Sequence, residues 1–401
     1  MGELYWMALL RDVSFIDYGS GAGTDAGANN TGAAAISLTN EFSVFRGPRD
    51  AAGNVTPATL FRGIAPGDEV GPYVSQFLWR GNVDPILGPT AADGFIKYGT
   101  LRIDQRQKTA QTGVDFLTIF PQWLAVQNGL NTVGTDVFDP KRLFIRNLRD
   151  LATYVHFDAL YEAYLNACII LLEMRAPFDP GNPYIDSRNQ DGFGTFGGPH
   201  ILSLVTEVAT RALKAVWFQK WLVHRRLRPE AFGGLIHVHR NVDPGRYPMI
   251  DSEILNSSVI PLVEGLPTGT ALLPMAFPEG SPLHPAYGAG HATVAGACVT
   301  ILKAWFDESF VLRNPVQSDA AGANLVPFAG PPLTVGGELN KLAANIAIGR
   351  NAAGVHWRTD YTESIRLGER LAIGLLKEQK LVYNESSNLS LTRFDGTAVT
   401  I

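Results

Sequence analysis

The sequence predicts a mainly α-helical protein, built as one or more helical bundles with minor β-hairpins. Five long segments are apolar on one face at helical spacing: 139–174, 201–225, 291–306, 337–350 and 359–379. Short loops join several of them, which is typical of bundles. The tail, residues 390–401, instead alternates around Asp395-Gly396, a pair that predicts a two-residue β-hairpin turn.

The first part of the chain has a less regular pattern. Residues 2–13 open with an apolar helix face that needs a covering surface. Residues 19–35 are rich in Gly, Ala and Asn, which predicts a loop. Residues 46–110 alternate Pro/Gly turns with short apolar runs, and 95–104 could form a hairpin strand. This region therefore contributes one helix and many turns.

The later helices carry start and stop signals. Asp139 and Pro140 predict a helix start, and the apolar pattern that runs from them to residue 174 predicts two helices in succession. The helix over 201–225 is followed by Arg228, whose backbone is restricted because a proline comes next. Residues 252–266 predict a shorter helix that ends near Pro261.

These patterns divide the chain near residue 138. Residues 1–138 are expected to be an N-terminal helix and loop-rich region that packs on the core. Residues 139–401 are expected to be a helical-bundle catalytic region with a C-terminal β-hairpin.

The composition excludes several classes of partner. The 401 residues are 46% hydrophobic and 18% charged, and the net charge of −5 gives no reason to expect nucleic acid or an anionic membrane. No apolar run reaches the length of a membrane span and no signal peptide is visible, so we predict a soluble protein of unknown location. Cys168 and Cys298 lie in apolar helical segments, which favours buried free thiols over a disulfide.

Residues 281–298 predict an anion-binding helix start. The prolines and glycines of this segment, up to Gly290, cannot sustain a helix, while the residues from His291 onward are small and helix-compatible. The first-turn amides of a helix lack intrahelical partners and point outward, so such a start can bind an oxyanion. His291 is placed to exchange protons with that anion.

Two other segments supply cations to such a site. Lys220 lies within the predicted helix over 201–225 and Arg228 just after it, and Arg350 and His356 lie farther along the chain. Three cations, two imidazoles and a helix start would together suit a multiply charged tetrahedral oxyanion.

Each of these residues also has a purely structural explanation. The basic cluster over 220–228 could be a solvated helix end favoured by the helix dipole. His284 and His291 could be ordinary loop histidines. Arg350 could be exposed, and His356 could be a core histidine with a satisfied ring.

The same residues resemble the signature of a known family. In order, Lys220 with Arg228-Pro229, Gly290-His291, and Arg350 with His356 are similar to the three-part signature of the vanadium haloperoxidases and the related acid phosphatases. HPAYGAGHAT, GELNKLAANIAIGR and GVHWR resemble the algal and cyanobacterial bromoperoxidases in particular. The resemblance implies a helical-bundle fold of that type. It also implies oxidation of bromide or iodide by hydrogen peroxide to hypohalous acid, which halogenates small organic acceptors, and it implies a homo-oligomer.

The resemblance implies vanadate as the cofactor and a role for each residue. Lys220, Arg228, Gly290 and Arg350 would bind the vanadate oxygens, and His356 would be the protein ligand of vanadium.

The remaining roles concern proton transfer and the halide. His291 would be the catalytic acid or base, and Lys220 would assist halide oxidation. Trp217 and His284 would line the halide pocket, in a combination similar to brown-algal enzymes. That combination favours bromide and iodide over chloride.

Two details bear on how well the site works. The family has serine where this chain has Ala289, so one hydroxyl that would donate to vanadate is absent. A hydrogen bond to a charged group contributes about 1.5–3 kcal/mol, so we expect weaker vanadate retention. Asp360 is either the partner that orients His356 or the N-cap of the next helix, and the sequence favours neither.

The loop over 178–198 offers oxygen ligands for a cation. Asp186, Asn189 and Asp191 could hold a structural calcium, as some algal relatives do, although the loop lacks the spacing of an EF-hand. A polar surface loop is the more frequent explanation for such residues.

Two other functions stay open at this point. In an acid phosphatase with the same residues, His291 would protonate the leaving group and His356 would attack phosphorus. A non-catalytic structural subunit with a decayed site is the alternative outside catalysis.

Overall fold

A computed structural model of the chain describes residues 1–20, 30–82 and 93–401. Within these residues the α-helices are α1 Gly2–Leu9, α2 Thr31–Asn40, α3 Phe120–Gln127, α4 Leu148–Phe157, α5 Glu162–Glu173, α6 Gly198–Phe218, α7 Pro229–His237, α8 Ser252–Leu255, α9 Val259–Glu264, α10 Gly290–Trp305, α11 Val335–Ala352 and α12 Arg358–Lys380. The strands are β1 Phe95–Tyr98, β2 Leu101–Asp104, β3 Gln107–Ala110, β4 Phe138–Leu143, β5 Val316–Ser318, β6 Leu325–Pro327, β7 Ser390–Thr392 and β8 Ala398–Thr400. They form antiparallel pairs, each of two strands. The mainly helical fold with small hairpins is therefore confirmed.

Helix α10 lies at the centre of the bundle and packs against α12, α6 and α11. Two glycines let α10 and α12 approach closely. A Cβ atom at Gly296 would lie 2.1 Å from the carbonyl oxygen of Ile365, and one at Gly368 would lie 2.0 Å from that of Thr293. Because neither contact is sterically allowed for a larger residue, these glycines hold α10, and the site residues at its N-terminus, against α12.

The apolar face of α1 is covered by the same chain. Leu4 is 2% exposed and Met7 is fully buried, in contact with α2, α9 and α11. The Tyr5 hydroxyl donates to the Ala271 carbonyl at 2.6 Å. The covering surface that the sequence pattern requires is therefore supplied by this chain itself, and the apolar face of α1 gives no argument for assembly.

Segment 139–174 contains the two predicted helices, but the predicted start at Asp139 and Pro140 is wrong. Both residues lie in β4, which pairs with β3. The first helix begins after Asn147, whose side chain accepts from the Asp150 amide at 2.9 Å and caps α4. A long-range strand pairing thus overrides a local helix signal.

Other boundaries also differ from the sequence predictions. Residues 252–266 form α8 and α9, and Pro261 lies in the first turn of α9, where a missing amide costs nothing. Part of the predicted loop over 19–35 is helical, because α2 begins at Thr31, and its residues 21–29 are outside the described part. Helices α3 and α7 were not predicted. The hairpins at 95–104 and 390–401 are confirmed, although the loop between the tail strands is longer than two residues.

Both cysteines are buried free thiols, as predicted. Across the described ranges, no single helix has the length and apolar composition of a membrane span. Helices α4 and α5 meet that test only together, as a pair bent by 99°.

Candidate active site

A π-helical turn, Gln219–His224, extends α6 and carries Lys220 into the protein. The side chain of Lys220 is fully buried, and its Nζ donates to the Pro285 carbonyl at 2.8 Å and to the Ala286 carbonyl at 3.4 Å. Burial, together with the nearby Arg228, lowers the pKa of Lys220 to about 7. The turn ends at Arg225, which adopts a left-handed backbone conformation.

Arg228 joins three segments of the chain. Its backbone is extended, and α7 begins at the proline that follows it. The Arg228 Nε donates to the His284 carbonyl at 2.9 Å and its Nη1 to the Val355 carbonyl at 2.8 Å. Burial and the charge of Arg350 lower the pKa of Arg228 to about 10.

His291 occupies the first turn of α10. The cap residue, Ala289, provides no side-chain hydrogen bond to this turn, and its own amide donates to the Ser364 hydroxyl at 2.8 Å. The Nε2 atom of His291 lies 3.0 Å from Oδ1 of Asp158, the residue that ends α4. The predicted helix start at His291 is thus correct, and a carboxylate orients its ring.

His356 is buried between an acid and a cation. Its Nδ1 lies 3.0 Å from Oδ2 of Asp360, and its Nε2 lies 3.1 Å from Nη1 of Arg228. Because the guanidinium can only donate, Nε2 accepts and carries a lone pair, while Nδ1 holds the proton that faces Asp360. Burial, then the charges of Arg228 and Lys220, lower the pKa of His356 well below its ordinary value, so the ring is neutral.

Of the two roles that the sequence left open for Asp360, the structure shows the contact with His356 and not the N-cap. Its Oδ2 bonds the His356 ring and also accepts from the Trp357 amide at 3.0 Å. Trp357 is the cap residue of α12, and Asp360 is the third residue of the helix, so it is not the N-cap itself. Its other oxygen accepts from Arg226 at 3.0 Å.

Arg350 lies in the last turn of α11. Its Nη1 donates to the Val155 carbonyl at 2.8 Å, and the guanidinium lies 5.8 Å from the centre of the Phe277 ring. The Arg350 Nε is buried and has no hydrogen-bond partner among the described residues. Burial lowers its pKa to about 10, opposed by Asp158 and Glu279.

The sequence-predicted residues therefore converge. Lys220, Arg228, Arg350 and His291 all act on the pKa of His356, so these side chains share one electrostatic environment. At the edge of the cluster the rings of Trp217 and His284 are 4.7 Å apart. The pKa of His284 is lowered to about 4 by burial and by Lys220, so its ring is neutral.

The arrangement fits a multiply charged oxyanion bound to a metal. The three cations are buried, and within the described residues none of them forms an ion pair with a carboxylate. Donors of Arg350 and of the first turn of α10 are available, and the His356 ring presents a lone pair. Vanadate, a tetrahedral oxyanion whose metal accepts nitrogen ligands, matches this set of groups.

Comparison with known proteins identifies the family. A family model described as the VCPO second helical-bundle domain matches residues 267–384. The vanadium-dependent bromoperoxidase of Corallina officinalis is 47% identical over 444 aligned residues, which cover all of this chain and 73% of that protein. The chain belongs to the vanadium-dependent haloperoxidases. It lies in their bromoperoxidase branch.

Two further relatives support the placement of this chain among the haloperoxidases. The vanadium-dependent bromoperoxidase of Ascophyllum nodosum is 35% identical over 413 residues, covering all of this chain and 70% of that protein. The solved homohexameric structure of the second vanadate-dependent bromoperoxidase from Ascophyllum nodosum superimposes with a TM-score of 0.85 at 33% identity, covering 100% of this chain and 70% of that chain.

Sequence reasoning missed several neighbours of this haloperoxidase site. Asp158, just after α4, and Ser364, in α12, contact the start of α10. His156 stacks on Phe277 with ring centres 3.8 Å apart and pairs with Glu279 at 3.2 Å. No local pattern marks these residues, because each reaches the site only through helix packing.

The predicted calcium ligands are on the surface. Asp186, Asn189 and Asp191 are all exposed in the loop that precedes α6. Across the described residues, no group of three or more His, Cys, Asp or Glu side chains comes together as a metal site.

Proposed function

We propose that this enzyme oxidises bromide and iodide with hydrogen peroxide to hypohalous acid. Relatives that match the whole chain are named bromoperoxidases. The observation that carries the proposal is the buried, neutral His356, whose Nε2 lone pair lies among three buried cations without carboxylate partners in the described structure. All the proposed site residues lie within 139–401, the region that we propose as catalytic, with 1–138 packed on it.

We propose vanadate as the cofactor, held by Lys220, Arg228, Arg350 and the Gly290 amide, with His356 as the vanadium ligand. Bound vanadate supplies a Lewis acid that activates peroxide without changing oxidation state. Asp360 holds the His356 ring in the tautomer that leaves Nε2 unprotonated and raises the basicity of that atom. The cations compensate the negative charge of the guest inside a poorly hydrated site.

His291 acts in proton transfer. Its Nε2 faces Asp158, so the carboxylate favours the tautomer in which Nδ1 is free to accept a proton. Peroxide must lose a proton as it binds, and His291, at the edge of the cation cluster, takes it. Asp158 then stabilises the imidazolium that forms.

Trp217 and His284 form the proposed halide pocket. The His284 ring is neutral and lies against the indole, so the pocket offers a weakly polar surface near the Lys220 charge. Large, polarisable bromide and iodide lose less hydration energy in such a surrounding than chloride does, so we expect them to be preferred. Lys220 assists by placing positive charge beside the incoming halide.

We also propose that the enzyme assembles as a homo-oligomer, since the solved relative is homohexameric. Light scattering of the purified chain tests this point separately from activity. A monomer at all concentrations would contradict it.

The decisive experiment compares two activities of one preparation. With added vanadate, peroxide and bromide we expect bromination of a phenol dye, and with iodide we expect tri-iodide formation. The His356→Ala variant should lose both activities, because the vanadium ligand is removed.

The phosphatase alternative predicts the opposite pattern. Vanadate-free protein would then hydrolyse a phenyl phosphate. The same protein supplied with vanadate would not oxidise halide. If the His356→Ala variant kept both halide activities, that result would also overturn the proposed site.

A further inference from the structure

A cleft of about 300 Å³ adjoins the candidate site and shares Arg228 and His284 with it. Its other walls come from the π-helical turn, α3, α7 and the loop before α10. The mechanism above gives a role to these two residues and not to the rest of the cleft lining. Its position puts any molecule inside it next to the halide pocket formed by Trp217 and His284.

One wall of the cleft is apolar and exposed. Trp221 is 43% exposed, Leu227 is 48% exposed and Leu283 is completely exposed. All three belong to segments whose backbone also holds the site, because Leu227 precedes Arg228 and Leu283 precedes His284. Grouped apolar side chains of this kind in a cleft are suited to an aromatic ring.

The cleft also contains a guanidinium, that of Arg225, with no carboxylate partner among the described residues. Arg225 lines the cleft, and its Nε donates to the Trp221 carbonyl at 2.9 Å. Among the described residues, no carboxylate lies within ion-pair distance of Arg225, whereas the adjacent Arg226 is engaged by Thr359 and Asp360. The terminal nitrogens of Arg225 can therefore bind an incoming anion.

The acidic residues of the cleft bond groups other than Arg225. Glu230 accepts from the Gln127 side chain at 2.6 Å and from the Ser281 amide. The Glu279 carboxylate lies 3.2 Å from the ring of His156, whose pKa is lowered to about 4, so that ring is neutral. Neither carboxylate of the cleft lies within ion-pair distance of Arg225.

Arg225 also has an unusual backbone conformation. Its φ of 47° and ψ of 40° lie in the left-handed region, which costs free energy for a residue with a Cβ atom. A left-handed residue is a common way to end a helix. Here it ends the π-helical turn and leaves the guanidinium at the cleft.

We propose that this cleft binds the organic acceptor and prefers an aromatic molecule that carries an anionic group. The ring lies on Trp221, Leu227 and Leu283, and the anion binds Arg225. This inference rests on the proposed function, which supplies hypobromous acid next to the cleft. In the transfer, the ring carbon forms a bond to bromine as the O–Br bond breaks, and the displaced ring proton leaves with hydroxide as water.

A competition experiment tests the proposal. Equal amounts of 4-hydroxyphenylacetate and the neutral 4-hydroxyphenethyl alcohol are brominated by the enzyme, and separately by reagent hypobromous acid. We expect the enzyme to favour the anion by about threefold or more over the reagent ratio, which is the size of effect that one partly exposed ion pair can produce. A ratio equal to that of the free reagent would overturn the proposal.

Three variants assign the preference to Arg225. Arg225→Gln should abolish it and Arg225→Lys should retain part of it, while tri-iodide formation, which needs no organic acceptor, stays unchanged. The matched control is Arg175→Gln, because Arg175 is also exposed with a left-handed backbone and lies outside this cleft. A preference that survives in Arg225→Gln would contradict the assignment.

Binding without turnover separates this inference from the proposed function. Saturation-transfer NMR of 4-hydroxyphenylacetate with vanadate-free protein should give a signal that weakens at least about threefold in Arg225→Gln and not in Arg175→Gln. This result supports the cleft even if halide oxidation fails in every variant. Equal signals for all three proteins would overturn the cleft even if halide oxidation succeeds.

Discussion

Two groups of buried charges differ in how their charges are compensated. In the first group, away from the candidate site, four buried cations each contact a carboxylate: Arg358 with Glu3, Arg149 with Asp12, Arg11 with Asp115, and Lys341 with Glu338. In the second group, at the candidate site, Lys220, Arg228 and Arg350 contact backbone carbonyls instead.

The difference separates cations whose charge is compensated inside the protein from cations whose charge is not. A buried cation with a carboxylate partner is compensated within the protein, and removing either partner leaves an uncompensated charge. A buried cation held only by carbonyls keeps an excess of positive charge, which lowers its pKa and that of its neighbours. Such a cluster is stabilised further only when an anion binds.

The largest expected effect concerns the first group. Glu3→Ala removes the carboxylate that accepts from Arg358 at 2.8 and 2.9 Å in a buried pair. We expect the free energy of unfolding to fall by about 3–5 kcal/mol, because the guanidinium stays buried and unpaired. Urea unfolding measures this change.

The control for Glu3→Ala is an exposed pair of the same type. Glu207→Ala removes the partner of Arg211 on the surface of α6. Its cost should be below about 1 kcal/mol. Equal costs for the two substitutions would contradict the distinction drawn for the first group.

A substitution among the cations of the candidate site should affect ligand binding more than stability. Arg350→Met should weaken vanadate binding by about 2–4 kcal/mol, since charge-assisted hydrogen bonds are lost. The unfolding free energy of the vanadate-free protein should change by less than about 1 kcal/mol, because removing the desolvation cost of a buried cation offsets the lost bond to Val155. Vanadate titration of activity and urea unfolding give the two numbers. A large loss of stability would place Arg350 in the first group.

A hydroxyl at the helix start should improve the second group. Ala289→Ser restores a donor at the N-cap of α10, next to the first-turn amides. We expect the vanadate concentration for half activity to fall about tenfold, the effect of roughly 1.5 kcal/mol. Ala295→Ser, farther along the same buried helix, should bring no such gain. A rise in thermal stability without a lower vanadate requirement would mean that the hydroxyl only caps the helix.

The smallest expected effect is a pH dependence caused by Lys220. Its pKa is about 7 in the folded protein against 10.5 for an ordinary lysine, so between these values the unfolded chain binds the extra proton. Stability therefore rises with pH in this window, and this group should contribute less than about 1.4 kcal/mol between pH 7.5 and 8.5. The slope should be smaller in Lys220→Met, as measured by urea unfolding at the two pH values without vanadate. An unchanged slope would contradict the lowered pKa.

The sequence alone determined those features that depend on neighbouring residues. Helical periodicity predicts the bundle, the proline after Arg228 predicts the extended backbone there, and the step from Gly290 to His291 predicts the start of α10. Local sterics and the alternation of apolar residues control each of these. The family resemblance added the roles of the residues, which composition and spacing could not supply.

Only the tertiary structure decided the contacts between distant segments. Helix and strand packing decides four of these contacts. It makes a strand of Asp139 and Pro140, buries the apolar face of α1, places Asp158 beside His291, and brings Arg225 and Leu283 to one cleft. Their partners lie tens or hundreds of residues away, and no local preference specifies which surfaces meet. The free energy of such contacts depends on the whole buried core, so it cannot be inferred from the residues next to each position in the sequence.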